Sequence, residues 1–284
     1  MTRLQSQNAL DIIRAVARSA PGPADLFRIR ALWVFSGVSN IDGVASSNCV
    51  VPYFFALALV GDALGCCYSE EQPVPPAQLL LADARTASAP THVWEIAILD
   101  GIMASQGSRP GQGVGATRSV TLEGSSTHKA EARTSLIIEC LSRAAERRKV
   151  KLRSVLNIGV LGRLIRRLDQ HGLEVSACDL DPSIVGTTIG RVSVRHGGEV
   201  SALIGGSDAV VLTAMAITNG SFDEILAACK LHNRPLVVYG QTGHAFAPVY
   251  LQCGVDAMVS ESFPLYTVPG STHVDLHESE STTV

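Results

Sequence analysis

The sequence predicts an α/β protein: a Rossmann-like parallel sheet with helices on both faces, joined to a smaller α+β amino-terminal domain. Three observations carry this expectation. From Ser154 onward, short apolar runs alternate with segments whose apolar residues recur at helical spacing, the pattern of a parallel sheet covered on both sides. Ahead of that half, β-forming runs cluster between Leu32 and Tyr68, separated by Gly, Asn and Ser. The chain has 284 residues, more than the roughly 100 to 200 typical of one domain. A boundary near 150 follows, with an α+β lid or substrate domain over residues 1–150 and a Rossmann-like ligand domain over 151–284.

In chain order, residues 4–18 read as a helix, apolar at 9/10, 12/13 and 16/17 and ended by Pro21-Gly22-Pro23. Leu32 to Phe35, Tyr53-Phe54-Phe55 and Ala63 to Tyr68 read as strands of a small sheet, the three aromatics as core of the first domain unless that domain folds over the Rossmann edge. Trp94 to Met103 is apolar enough for a buried helix. Between Gln106 and Ser126 lie five glycines, a proline and many Ser and Thr, which predicts a mobile loop, either a connector or a lid. Ala130 to Arg148 resumes as a helix, its basic end favourably placed at a helix carboxyl terminus. The runs beginning at Val155, Glu174, Ala209, Leu236 and Ala257 are the parallel strands; Gly162 to His171, Phe222 to His232 and Phe246 to Cys253 are helices between them.

Composition excludes several functions. Lys plus Arg number 23 against 26 Asp plus Glu, a formal charge of -3, so nucleic acid is not an expected partner. Hydrophobic residues make up 46% and the mean hydropathy is +0.23, yet the longest apolar stretch, Val50 to Gly61, is broken by Pro52 and falls short of the roughly 18 residues that span a bilayer. A membrane partner is therefore not expected. Arg3, Asp11 and Arg14 interrupt the amino-terminal apolar residues, unlike a signal-peptide core. Seven cysteines without paired spacing read as reduced thiols filling a core, and a cytoplasmic location is expected.

In a doubly wound sheet, ligands sit outside the carboxyl ends of the strands, where strand order reverses. Gly159-Val160-Leu161-Gly162 follows the first strand and opens a helix, where glycine lets the backbone approach a ligand. Asp179 comes 20 residues after Gly159, at the end of the next strand, a place from which a carboxylate can accept both ribose hydroxyls. A turn of this kind also serves merely to pack helix on strand. The full Gly-x-Gly-x-x-Gly is absent, so provision for a pyrophosphate is reduced and NAD is disfavoured. Asn219 either caps the helix beginning near Phe222 or bonds a ligand lying over the strand ends. Thr213 and Tyr239 close their strands on the same edge, where Tyr239 either packs or presents its ring to a cation.

Among metal-ligand types, His273-Val-Asp275-Leu-His277 is the compact cluster, read here as part of a solvated tail. Cys66 and Cys67, adjacent on a strand, point apart and suit packing. No metal is expected. His244, after the Gly240 loop, is either a pocket residue or exposed.

The segment Val155 to Pro182 resembles the opening of class I methyltransferases, in which a glycine loop and an Asp hold S-adenosylmethionine; Asn157 stands where many of those enzymes have an acid. Ser207 to Thr213, Ile217 to Leu226 and Pro235 to Phe263, with Val238-Tyr239-Gly240-Gln241 and Cys253-Gly254-Val255-Asp256, are similar to the Rossmann-like domain of the heavy-metal-chelation family. That family's first domain is similar to the amino-terminal domain of enolase, and residues 31–103 resemble it, including Gly65-Cys-Cys-Tyr68 and Glu95 to Met103. The whole chain also resembles the azetidine-2-carboxylate synthases, which cyclise S-adenosylmethionine instead of transferring its methyl group.

These resemblances imply an enzyme that consumes S-adenosylmethionine, its small-molecule substrate, and releases methylthioadenosine. They imply cofactor contacts from Asn157, Gly159, Leu161, Asp179, Leu180 and Thr213, with Asn219 and Tyr239 as catalytic candidates. Thr213 and Asn219 would serve the amino-acid end and Tyr239 an aromatic wall. The alternatives are methyl transfer to a small acceptor and a non-catalytic metal or small-molecule binding protein. A homo-oligomer is compatible with any of them.

Overall fold

A computed structural model describes residues 8–40, 50–107, 115–263 and 270–279. Helix α1 (Ala9–Arg18) starts where Asn8 accepts the Asp11 N–H, and buries Leu10, Ile13 and Ala17, one stripe of an amphipathic pattern. Residues 4–7 of the expected helix lie outside the described residues. Strands β1 (Ile29–Asn40), β2 (Val50–Val60) and β3 (Ala63–Ser69) form an antiparallel sheet in that order. Helix α2 (His92–Gly107) lies against it, and every residue from Ile96 to Ala104 is buried. Close approach is possible because a Cβ on Gly65 would overlap the Ala97 carbonyl and the backbone of Gly101.

The larger sheet contains, among the described residues, nine strands ordered β4-β12-β11-β10-β9-β5-β6-β8-β7. Strands β5 (Ser154–Ile158), β6 (Glu174–Asp179), β8 (Val192–His196), β9 (Ala209–Thr213), β10 (Leu236–Gly240) and β11 (Ala257–Ser260) are parallel to their neighbours in this set. Strand order reverses between β5 and β9, which start the two halves, as in doubly wound folds. Antiparallel edges are added by β7 (Thr188–Ile189) on one side and by β12 (Thr272–Glu278) and β4 (Arg118–Leu122) on the other. Helices α3 (Ser126–Arg147) and α4 (Gly162–Gln170) bury Ile137, Leu141, Leu164 and Leu168 on one face. Helices α5 (Val200–Gly206), α6 (Phe222–Leu231) and α7 (Ala247–Cys253) cover the other.

That second face is also where the small sheet docks. One apolar cluster runs from Ile13 and Trp94 to Phe222 and Tyr250, whose rings stack at 4.6 Å. Ala9 N–H donates to Asp223 at the end of the same seam. Because each aromatic truncation in such a core costs about 3–5 kcal/mol, the two layers stabilise one another.

Strand β4 and helix α3 belong to the large sheet and its covering layer. Three expectations are corrected here. The span from Gln106 to Ser126 is not all loop: it contains β4, in which Leu122 is buried, while residues 108–114 of it lie outside the described residues. His273 to His277 is not a solvated tail but the interior of β12, paired on both sides, with His277 buried. The rings of Tyr53 and Phe55 are not only first-domain core, because that domain folds over the large sheet and both rings line a cavity there. As expected, Cys66 and Cys67 pack into separate apolar clusters, and the six described cysteines are free thiols.

A cavity at the reversal of strand order

A cavity of about 540 Å³ lies over the carboxyl ends of β5, β6, β8, β9 and β10, within the range of about 300 to 1,000 Å³ usual for small-molecule sites. Its floor is built by the turn after β5. Gly159 adopts φ +76°, and a Cβ there would overlap Thr213 Oγ1 at the end of β9, so the position requires glycine on both counts. Asn157 is fully buried beneath this turn: its Nδ2 donates to the Gly159 carbonyl at 3.0 Å, and its Oδ1 accepts the Leu161 N–H at 2.8 Å. Asn157 therefore shapes the loop from below and does not line the cavity, a correction to its expected ligand contact.

Asp179, at the end of β6, accepts the Val160 N–H on Oδ2 at 2.9 Å and the Asp181 N–H on Oδ1 at 3.0 Å. The carboxylate thus braces the glycine turn, and each oxygen keeps acceptor capacity beyond these bonds, since a carboxylate has about four lone-pair sites. Leu161, Leu180 and Thr213 line the same wall, Leu180 being 48% exposed beside Gly197 and Gly198 after β8.

Asn219 also reaches the wall, but its Oδ1 accepts from the N–H and hydroxyl of Ser221 at 3.1 and 2.7 Å. This is a local turn, and α6 begins without a side-chain cap, so of the two readings of Asn219 the capping one does not hold. Tyr239 is buried at the cavity edge, with its hydroxyl accepting from Gln241 Nε2 at 3.1 Å. One face of its ring carries the Arg133 guanidinium, 5.0 Å from the centroid. The cation over this face of Tyr239 is therefore the chain's own, and the residue also lines the cavity.

The roof comes from the small sheet. Tyr53, Phe55 and Tyr68 line the cavity as an edge-to-face series, with centroids 6.0 and 5.7 Å apart. The edge of β3 is fixed to the loop after β10: Tyr68 N–H donates to Thr242 Oγ1 at 2.9 Å and Gly243 N–H donates to the Cys66 carbonyl at 3.1 Å. Asp100 of α2, fully buried, accepts the N–H groups of Cys66 and Ala245 and faces His244 Nδ1, each at 2.8 Å. His244 is thus a buried tie between the layers and is not among the residues lining the cavity.

Electrostatically the cavity is acidic. Glu70, Asp179, Asp181 and Glu224 stand in its wall. Burial, followed by the charges of Glu70, Asp181 and Asp179, pushes the Tyr68 phenol up to about 12. Tyr68 therefore stays neutral near pH 7 and offers a ring face in a negative field.

Arg133, Tyr53, Phe55 and Tyr68 are site residues that sequence reasoning missed or left aside. A signal existed for the first: Lys129 and Arg133 fall on the helical ladder of Ile137, Leu141 and Ala144, and cations on an apolar face call for a buried partner. Among the described residues there is no group of three or more His, Cys, Asp or Glu arranged to hold a metal ion. No helix among them is long and apolar enough to cross a membrane.

Fold and site together define a doubly wound α/β protein with a cavity at its switch point, roofed by an α+β layer. Residues 144–262 match the DUF364 family, described as "Putative heavy-metal chelation", which supports the family resemblance over that segment. A DUF364 protein of unknown function from Desulfitobacterium hafniense shares this fold at a TM-score of 0.55 and 14% identity, covering 96% of this chain and 100% of its own. A second, from Pyrococcus horikoshii, aligns at a TM-score of 0.47 and 14% identity over 89% of this chain and 87% of its own. No curated protein matches the sequence.

Proposed function

We propose that the protein consumes S-adenosylmethionine and closes its aminoacyl chain into azetidine-2-carboxylate, releasing methylthioadenosine. The supporting observation is the cavity's combination of an acidic wall with an aromatic roof at the strand-order reversal, with Asp179 on the floor side and Tyr68 above. A sulfonium nucleoside matches each part. Its ribose hydroxyls suit the remaining acceptor sites of Asp179, its adenine suits the exposed face of Leu180 beside Gly197 and Gly198, and Gly159 admits the backbone close to the sugar. Its positive sulfur suits the rings of Tyr53, Phe55 and Tyr68, an attraction worth about 0.5–2 kcal/mol per ring contact.

The reaction needs no second substrate. The α-ammonium first gives up its proton to water at the open side of the cavity. Its free α-amine normally has a pKa of roughly 8, and the adjacent sulfonium favours the neutral form. The nitrogen lone pair then attacks Cγ, the Cγ–S bond breaks, and its electron pair returns to sulfur to leave neutral methylthioadenosine. The ring nitrogen keeps its two protons as a secondary ammonium, so the product forms directly as the zwitterion and one proton is released overall. What the protein contributes is the folded conformation that aligns nitrogen, Cγ and sulfur, an effect of about 7–11 kcal/mol in the most favourable intramolecular cases, from which ring strain subtracts.

Purified protein incubated with S-adenosylmethionine alone, followed by mass spectrometry, tests the proposal. Methylthioadenosine and azetidine-2-carboxylate in equal amounts are expected. Methylthioadenosine without the ring, or S-adenosylhomocysteine appearing only when an acceptor is added, contradicts it, the latter in favour of methyl transfer.

A further inference from the structure

An acidic cavity that attracts a sulfonium repels a carboxylate, and an aminoacyl ligand carries both. Arg133 breaks the pattern. It projects from α3 into the cavity wall and is 8% exposed, with its guanidinium over the Tyr239 ring and its Nη1 3.6 Å from Glu261 Oε1. Glu261 is itself held by Gln241 Nε2 at 3.3 Å. Burial pushes the Glu261 carboxyl up, against the lowering pull of Arg133.

Position matters as much as charge. Asp179 ends β6 and Tyr239 is the penultimate residue of β10, with β5 and β9 between them. The two sites are therefore three strand spacings apart, roughly 14 Å at about 4.8 Å each. From a ribose hydroxyl through sulfur to the carboxyl carbon, an adenosyl amino acid spans on the order of 10 Å of bonded chain. A hydrogen bond of about 2.8 Å at each end accounts for the remainder.

We infer that Arg133, steadied by Tyr239 and Glu261, receives the α-carboxylate of the ligand and makes the cavity selective for aminoacyl sulfonium compounds. This rests on the adenosyl reading of the cavity given above. The opposite terminus of the ligand is thereby fixed, with sulfur beneath the aromatic roof.

The test titrates the full chain with S-adenosylmethionine, its decarboxylated analogue and methylthioadenosine, using the unmodified protein, Arg133→Met and Arg133→Lys. The unmodified protein is expected to prefer S-adenosylmethionine to the decarboxylated compound by about 10- to 100-fold, the worth of a charge-assisted bond, although the latter has the greater positive charge. Arg133→Met should erase that preference and leave methylthioadenosine within about twofold, while Arg133→Lys should restore part of it. Equal affinity of the unmodified protein for both sulfonium compounds overturns the inference and needs no variant. So does a parallel loss of all three ligands, or of folding, in Arg133→Met together with an unchanged preference in Arg133→Lys. If methylthioadenosine and both sulfonium compounds all fail to bind the unmodified protein, the adenosyl reading itself falls, and the inference with it.

Discussion

Asp100 Oδ2 and His244 Nδ1 stand 2.8 Å apart in the seam between α2 and the loop after β10, and the same carboxylate holds the N–H groups of Cys66 and Ala245. Tyr68 follows Cys66 by two residues on β3, so this tie positions the aromatic roof over the strand ends. Removing one partner of a buried pair leaves the other desolvated and costs about 3–5 kcal/mol. Asp100→Ala is expected to lower unfolding free energy by about 3 kcal/mol or more in chemical denaturation. An unchanged denaturation midpoint would show that the layers are held together elsewhere.

The same pair makes stability depend on pH. Burial alone lowers the His244 pKa, but the charge and hydrogen bond of Asp100 outweigh it, so the folded-state value lies above the ordinary 6.5. A group raised in this way adds stability that is complete below its unfolded pKa and disappears as pH climbs through the folded one. The stability advantage of the unmodified protein over His244→Phe should therefore be complete below the ordinary histidine value of 6.5 and shrink as pH rises above it. A difference that stays constant over that rise, measured by urea unfolding, would remove the ion pair from the account.

Tyr68 should distinguish a sulfonium from a thioether. Replacing it with leucine keeps an apolar roof but removes the π face, and the expected loss for S-adenosylmethionine is about 2- to 30-fold in affinity. S-adenosylhomocysteine, which has no charge on sulfur, should bind Tyr68→Leu and the unmodified protein alike. Calorimetric titration of both ligands makes the comparison, and equal losses would assign Tyr68 to shape alone.

Asn157 donates to the Gly159 and Val211 carbonyls from Nδ2. An acid at this position would set a carboxylate against two carbonyl oxygens in a fully buried place. Asn157→Asp is expected to cost about 1–3 kcal/mol and to loosen the turn that Asp179 braces. Thermal unfolding checks this; a variant as stable as the parent would mean that the turn does not depend on these bonds.

How much of this was legible in the sequence follows the range of the interactions involved. The placement of Gly159, Asp179 and Thr213 could be read directly, because Asp179 and Thr213 end, and Gly159 follows, strands whose apolar runs are local, and parallel topology brings such ends to one edge. Strand β4 was hidden: it lies at the border of the sheet, exposes Arg118 and Thr121, and buries Leu122 alone, so its pattern passes for linker. The aromatic run Tyr53-Phe54-Phe55 of β2 announced a core but not what would cover it, since that depends on docking through Asp100 and His244. Arg133 sits mid-helix among other basic residues, and its meeting with Tyr239 spans more than 100 positions of sequence. Asn157 was placed at the correct turn and given the wrong partner, because an amide beneath a loop and one facing a ligand share the same sequence position.

The central claim is that the cavity over the strand ends holds S-adenosylmethionine through Asp179. The melting temperature of the unmodified protein and of Asp179→Ala, each with and without the sulfonium compound, tests it most directly. A ligand bound only by the folded state stabilises it by about 2.7 kcal/mol at a hundredfold excess over Kd. The unmodified protein should therefore melt several degrees higher with the ligand, and the variant should show little or no shift. An unmodified protein indifferent to S-adenosylmethionine but stabilised by transition-metal ions would contradict the account.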